Sequence, residues 1–192
     1  VAGVDEVGRG ALAGPVTSAC VVFPPPVGRF AGYGINDSKL LSPEKREALS
    51  RWIMGNALHT SFGWATVEEV DQHNIREATL LSMQRALQIL SEGLSGSPSI
   101  LLAIDGKDLL PESPFPQRAI VGGDQEILSI AAASILAKVA RDKYMSELDA
   151  KFPEYGFRSH KGYGTDEHRN AIRKYGLSRH HRSLFCRKAL GL

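Results

Sequence analysis

Val1-Ala2-Gly3-Val4-Asp5-Glu6-Val7-Gly8-Arg9-Gly10-Ala11-Leu12-Ala13-Gly14-Pro15 is the stretch whose reading decides the fold. Val1 to Val4, small or β-branched and apolar, read as a buried strand. Two adjacent carboxylates follow, and then a glycine-arginine-glycine turn. Neighbouring side chains on a regular strand point to opposite faces. Asp5 and Glu6 are therefore expected to converge only if the strand ends or bulges there, which the glycines behind them allow. Carboxylates that close repel unless a proton or a metal ion neutralises them. With no cysteine or histidine beside them, the hard oxygen set points to a divalent cation. Taken alone, an Asp-Glu pair is more simply a solvated strand end. Gly8-Arg9-Gly10-Ala11-Leu12-Ala13 also fits a dinucleotide-binding fingerprint, but that fingerprint needs a helix to follow. Pro15 is followed instead by Val16-Thr17-Ser18-Ala19-Cys20-Val21-Val22-Phe23, another strand, and the dinucleotide reading is rejected.

A chain of 192 residues with 43% hydrophobic and 23% charged residues suits one domain with a substantial core. No apolar run approaches the roughly 20 residues of a membrane span, and no signal peptide is read at the start. Cys20 and Cys186 lack metal-ligand spacing and are expected to be reduced thiols in a cytoplasmic protein. The net charge of +2 is unevenly placed: residues 1–127 carry 10 Lys and Arg against 15 Asp and Glu, and residues 128–192 carry 13 against 6. An acidic half beside a basic half is what a metal site next to a polyanion-binding surface gives, although a split of this size also arises by chance.

Outward from the first stretch, the strand at 16–23 stops at Pro24-Pro25-Pro26. After a loop, Ser42 as N-cap and Pro43 at the first helical position open a helix through about Gly55. Leu58 to Thr66 reads as a strand, Val67 onward as a short acidic turn, and 75–92 as a long amphipathic helix with Leu80, Met83, Leu87 and Leu90 on one face. Ile100 to Ile104 is a continuous apolar run, the mark of a central strand. Arg118 to Val121 is a further strand, and 125–150 one long helix with a small-residue middle, Ala131-Ala132-Ala133-Ser134. The rest reads as a loop to Gly164, a helix capped by Thr165, and a last helix near 182–189.

Three strands thus end in carboxylates: Asp5 with Glu6, Asp105 before Gly106, and Asp124 after Gly122-Gly123. Ligand sites in α/β sheets gather where strands end. Each acid has an ordinary explanation as a turn residue. The threefold repetition favours a metal site, in which four carboxylates would hold two Mg²⁺ or Mn²⁺ ions.

With these motifs assembled, the chain resembles the bacterial ribonuclease HII family. The resemblance rests on Gly3-Val4-Asp5-Glu6-Val7-Gly8-Arg9-Gly10, Asn36-Asp37-Ser38-Lys39-Leu40-Leu41-Ser42, Ile104-Asp105-Gly106, Gly122-Gly123-Asp124-Gln125, Ile130 through Asp142, and His160-Lys161-Gly162-Tyr163-Gly164-Thr165, in family order across nearly the whole chain. It implies an α/β, ribonuclease H-like fold over residues 1–192: a mixed β-sheet flanked by helices, with 151–192 as a small C-terminal helical part. The extra N-terminal domain of a ribonuclease HIII finds no room in this reading. The family's acidic quartet falls on Asp5, Glu6, Asp105 and Asp124, and implies hydrolysis of the phosphodiester 5′ of a ribonucleotide with two divalent ions. The implied partners are RNA–DNA hybrids and DNA duplexes containing ribonucleotides, with no membrane and no obligate protein partner.

By the same resemblance, Gly8-Arg9-Gly10 and Tyr163 would read the junction between ribose and deoxyribose. Lys39, Lys138, Arg141 and Lys161 are phosphate-contact candidates, with Ser42 and Ser134 as weaker ones. Arg182-Ser183-Leu184-Phe185 departs from the expected arginine-x-serine-phenylalanine, which bears on the packing of the last helix. His160, His168, His180 and His181 show no metal-ligand pattern. Two other readings stay open at this point. A junction resolvase of the same fold would share the carboxylates but lack the Gly8-Arg9-Gly10 and Tyr163 pair. A non-catalytic nucleic-acid-binding domain would find four acids a liability beside phosphate, unless metal screens them.

Overall fold

A computed structural model describes residues 1–35, 38, 41–94 and 100–191. Five strands form one mixed sheet in the order β3-β2-β1-β4-β5. They are β1 (Ala2–Val7), β2 (Val16–Val22), β3 (His59–Ala65), β4 (Leu102–Asp105) and β5 (Gln117–Ile120). The stretch that opens the chain supplies the central strand. β1 pairs antiparallel with β2 and parallel with β4, and β4 pairs parallel with β5. The expected mixed sheet with helices on its faces is the architecture observed.

Alternation along β1 and β2 divides the core in two. Ala2, Val4, Cys20 and Val22 face helix α2 (Val67–Gly93), where they meet Leu80, Met83, Leu87 and Leu90. Ala19 and Val21 face the other side, against Leu49 and Ile53 of α1 (Pro43–Asn56) and Ala132, Ala133, Ile135 and Leu136 of α4 (Leu128–Lys151). The small-residue middle of α4 lets it lie close on the sheet. At Gly3 a Cβ would collide with the Ser129 and Ile130 backbone. This contact fixes the site, because Ser134 lies one helical turn beyond Ile130 and Asp5 lies two strand residues beyond Gly3, advances of roughly 6 Å and 7 Å.

Several elements differ from the sequence reading. The acidic turn at 67–74 is the first part of α2, with Thr66 and Glu69 forming a reciprocal capping box; the change of direction comes from Asn74, at φ 69° and ψ 168°. The helix expected over 125–150 is broken at Ile127, whose extended backbone separates α3 (Gly123–Glu126) from α4. The loop before Gly164 contains a 3₁₀ turn, Pro153–Tyr155, and α5 (Phe157–His160). Two helices complete the chain: α6 (Asp166–Tyr175), capped by Thr165 as expected, and α7 (Ser183–Leu190).

The C-terminal helices enclose the loop after β1. Ala11 pairs with Tyr163 and Ala13 with His181 in isolated antiparallel bridges, so residues 11–13 run between the two segments. Leu12 N donates to Gly162 O, and Gly14 N donates to His180 O.

Candidate active site

β4 departs from β1 after the Val4–Ile104 pair, while β1 continues along β2 as far as Val7 opposite Thr17. Asp5 and Glu6 therefore share a site without the strand end or bulge that the sequence reading required. Their strand runs on regularly, and the cleft opens because the neighbour on one side has gone. Asp5, Glu6, Asp105, Asp124, Ser38, Ser134, Lys138 and Tyr163 line this cleft of about 370 Å³, together with Val7.

Each carboxylate has a structural reason for its place. Asp5 lies on the face of β1 covered by α4 and is only 5% exposed. Its Oδ1 accepts from the Glu6 amide at 2.7 Å, and it is hydrogen-bonded to the Ser134 hydroxyl. Ser134 in turn meets Ser38 Oγ at 3.0 Å, and Arg46 of α1 donates to the Ser38 carbonyl at 2.6 Å. Asp105 ends β4 and accepts from the Gly123 amide at 2.8 Å, which ties that strand to α3. Asp124, 6% exposed, is the next residue. Ser38 is the lining residue that the sequence reading overlooked. Its signal was its place between Asp37 and Lys39 in a motif already singled out.

Burial holds the Asp5 carboxyl well above the usual carboxylate range, and the charges of Glu6 and Asp105 push the same way against the Ser134 hydrogen bond. Burial also raises Glu6, opposed by the Arg9 guanidinium 3.3 Å away. Among the described residues, the cation lining the cleft is Lys138, which is paired with Asp142 at 2.9 Å. Four carboxylates lining one cleft are a hard oxygen set that fits a divalent ion such as Mg²⁺ or Mn²⁺. The set is open as it stands: among the described residues, no three Asp, Glu, His or Cys side chains are gathered closely enough to hold an ion. Like charges at short range repel, so closing on an ion requires the ion's own charge.

The remaining candidates divide. Tyr163 lines the cleft half-buried, with Lys138 Nζ at 5.7 Å and Arg141 Cζ at 5.4 Å from its ring centroid. Gly8-Arg9-Gly10 leaves β1 as a turn beside the cleft. Gly8 has φ +95°, and a Cβ there would strike the Arg141 side chain; Arg9 and Gly10 are exposed. Ser42 is the exposed N-cap of α1, accepting from the Lys45 amide, and is not in the cleft. Lys161 Nζ donates to Ser146 Oγ at 2.8 Å in a neighbouring groove between α1, α4 and α5. Lys39 lies outside the described residues.

Arg141 requires a correction. It is fully buried and donates to three backbone carbonyls: Pro15 O at 2.9 Å, Lys161 O at 2.9 Å and Ala13 O at 3.0 Å. A guanidinium so placed cannot touch a phosphate. The histidines serve the C-terminal core instead, where His168 and His181 are buried with their Nε2 atoms 3.1 Å apart and His160 stacks on His168 at 4.2 Å.

The family model for ribonuclease HII matches residues 2–188. A ribonuclease HII of Syntrophotalea carbinolica is 49% identical over 96% of this chain and 84% of that protein. One of Synechocystis sp. is 44% identical over 99% and 98%. Among solved structures, the ribonuclease H2 of Pyrococcus horikoshii superposes with a TM-score of 0.76 at 24% identity, covering 99% of this chain and 96% of that one. The ribonuclease HII of Archaeoglobus fulgidus, solved in complex with PCNA, gives 0.75 at 26% identity over 94% and 91%. Bst-RNase HIII in complex with Mn²⁺ gives 0.73 at 21% identity, covering 99% of this chain and 68% of that one. The chain belongs to the ribonuclease HII family and is an enzyme of the ribonuclease H type, a metal-dependent nuclease.

Proposed function

We propose that the cleft hydrolyses the phosphodiester on the 5′ side of a ribonucleotide in an RNA–DNA hybrid, or at an RNA–DNA junction in duplex DNA, leaving a 3′-hydroxyl and a 5′-phosphate. The reading makes residues 1–192 one catalytic domain with 151–192 as its helical subregion, acting in ribonucleotide removal and RNA primer removal in the cytoplasm. It is carried by four carboxylates from β1, β4 and α3 lining one cleft together with Tyr163. Asp5, Glu6, Asp105 and Asp124 would hold two divalent ions, Mg²⁺ or Mn²⁺, with Asp5 serving both, Asp124 the nucleophile side and Glu6 with Asp105 the leaving-group side; the chemistry supplied would be activation of the attacking water and stabilisation of the leaving oxygen.

The chain's own residues do the rest. Ser134, fixed by Ser38, keeps the Asp5 carboxylate turned into the cleft. The Gly123 amide does the same for Asp105. The Gly8-Arg9-Gly10 turn brings backbone close to a 2′-hydroxyl, the group that separates RNA from DNA. The Tyr163 ring, backed by Lys138 and Arg141, stacks on the deoxyribose that follows. Lys138 and Lys161 are the basic candidates left for phosphate contacts; Ser134 contributes through Asp5, Ser42 through the α1 cap, and Lys39 by the family motif alone. The deciding experiment is cleavage of a duplex containing one ribonucleotide, with and without Mg²⁺. Metal-dependent nicking 5′ of the ribonucleotide is expected. An intact duplex in the presence of Mg²⁺ would sink the reading.

A further inference from the structure

Arg182 precedes α7 and sits 0% exposed behind the loop that follows β1. Its Nε donates to Gly14 O at 2.9 Å and its Nη1 to Arg9 O at 3.0 Å. Its own amide donates to Leu12 O at 2.8 Å. Arg141, equally buried, grips the same loop from α4 through Ala13 O and Pro15 O, and reaches across to Lys161 O. Two guanidiniums, one from α4 and one from the residue before α7, thus hold five backbone carbonyls within residues 9–15 and 161.

This arrangement is expensive. Neither guanidinium is ion-paired among the described residues, and Arg182 Nη2 is buried without a hydrogen-bond partner there. Burial, with Arg141 beside it, disfavours the charged form of Arg182. Asp71, a neighbouring carboxylate, is committed to the Ser183 amide and hydroxyl, both at 2.8 Å. A buried cation spent wholly on carbonyls is weak evidence for stability, since an apolar side chain of similar volume is often as good. What the guanidinium alone provides is a planar fork that fixes two carbonyls five residues apart in sequence.

One of those carbonyls belongs to Arg9, the middle of the turn beside the cleft. We infer that Arg182 is a positioning residue for ribonucleotide recognition, holding the Gly8-Arg9-Gly10 turn by the Arg9 carbonyl at a fixed offset from Tyr163. Arg141 completes the clamp, because its guanidinium lies 5.4 Å from the Tyr163 ring centroid and its stem occupies the space a side chain at Gly8 would need. The inference rests on the proposed reading of the cleft. It adds a residue that touches neither the carboxylates nor the substrate, and a displacement of about 1 Å in such a support is enough to impair recognition.

Arg182→Lys keeps the charge and the stem but can satisfy only one of the two carbonyls. Arg182→Gln removes the charge as well. Three measurements test the inference: thermal midpoint, amide hydrogen exchange residue by residue, and kcat/KM on a duplex with one ribonucleotide and on a continuous RNA–DNA hybrid. For Arg182→Lys, exchange over residues 9–15 should rise on the order of tenfold while β4 amides stay protected, and kcat/KM on the single ribonucleotide should fall by a similar factor. The hybrid, which offers a ribose at every position, should lose less. Arg182→Gln should show the same pattern more strongly. Equal losses on both substrates with exchange raised throughout, or failure of both variants to fold, would make Arg182 a structural pillar and overturn the inference. A variant that discriminates as the parent does overturns it alone. A parent that cuts neither duplex overturns the reading of the cleft and this inference with it.

Discussion

Asp5 and Arg141 show what a single residue discloses and what it hides. The acids were legible because each follows an apolar run and stands beside a glycine-rich turn, although only Asp105 ends its strand: Asp5 and Glu6 lie inside β1, and Asp124 lies in α3. Arg141 was misread because its partners are 126, 128 and 20 residues away in sequence, and nothing local marks an arginine that bonds carbonyls rather than phosphates. Arg182, whose partners lie 168 and 173 residues back, was read only as part of the packing of the last helix for the same reason. Asp5 is costly to keep charged where it sits, owing to burial first and then Glu6 and Asp105. Asp5→Asn should therefore abolish cleavage and yet raise the thermal midpoint by a few degrees in metal-free buffer. Mg²⁺ should stabilise the parent, by about 2.7 kcal/mol at roughly 100 times its dissociation constant, and the variant much less. Equal stabilisation of both by Mg²⁺ would remove Asp5 from the ion site. Tyr163 tests the reader. Stacking on an aromatic ring is worth about 1–3 kcal/mol, so Tyr163→Phe should keep most activity and Tyr163→Ala lose roughly tenfold or more on a single ribonucleotide, with less effect on a continuous hybrid. Parental cutting of both substrates by Tyr163→Ala would make the tyrosine structural.

Among the elements, the strands and the long helices were legible from periodicity, and the boundaries were not. The start of α2 carried its signal in Thr66 and Glu69, a capping box that the acidic run disguised as a turn. The break at Ile127 and the short helices between 151 and 164 had no periodic signature, because four residues are too few to show one. These short elements build a core of their own around Tyr155, Phe157 and Met145. Histidines close it: His181 Nδ1 accepts from Ser178 at 3.0 Å, leaving His181 Nε2 to donate to His168 Nε2, while His168 Nδ1 donates to Tyr163 O at 3.0 Å. The chain of bonds requires both rings neutral. Burial pushes each down to about 4 from an ordinary 6.5. A depressed folded-state value means that the unfolded chain binds more protons between these limits. Stability should be undiminished above pH 6.5 and lost as pH falls toward 4. Urea melts at stepped pH should show this, and His181→Phe should flatten the dependence. An identical pH slope in that variant would detach the effect from the pair. Because the His168 bond ends on Tyr163, cutting of the single ribonucleotide should decline over the same window.

For the whole molecule, the uneven charge was visible in composition but its use was not. Of the 13 Lys and Arg after residue 127, Arg141 and Arg182 are buried, and Arg169 is half-buried and donates to Gly164 O and Ala189 O. The part of the basic surface continuous with the cleft runs along α4, from Lys138 to the groove of about 700 Å³ that also holds Arg51, Lys143, Arg158 and Lys161. Lys138–Asp142 is close at 2.9 Å, but the other ion pairs there are loose, with Arg51–Glu47 at 3.8 Å, Lys143–Glu147 at 4.0 Å and Arg158–Asp149 at 3.6 Å, so a phosphate can replace those carboxylates at small cost. If a duplex leaves the cleft along this path, these five basic residues neutralise about five phosphates, and log affinity should fall with log salt at a slope of about −4 to −5. Were all the basic residues of this half in use, the slope would be about −12. Arg158→Glu removes one contact from an exposed position and should flatten the slope by about one unit without changing which nucleotide is cut. Arg141→Lys, by contrast, leaves the surface untouched, so the salt slope should stay as it is even where recognition suffers. A slope unchanged by Arg158→Glu would take the duplex out of this groove, and a slope flattened by Arg141→Lys would return that arginine to the phosphate contacts from which its burial excludes it.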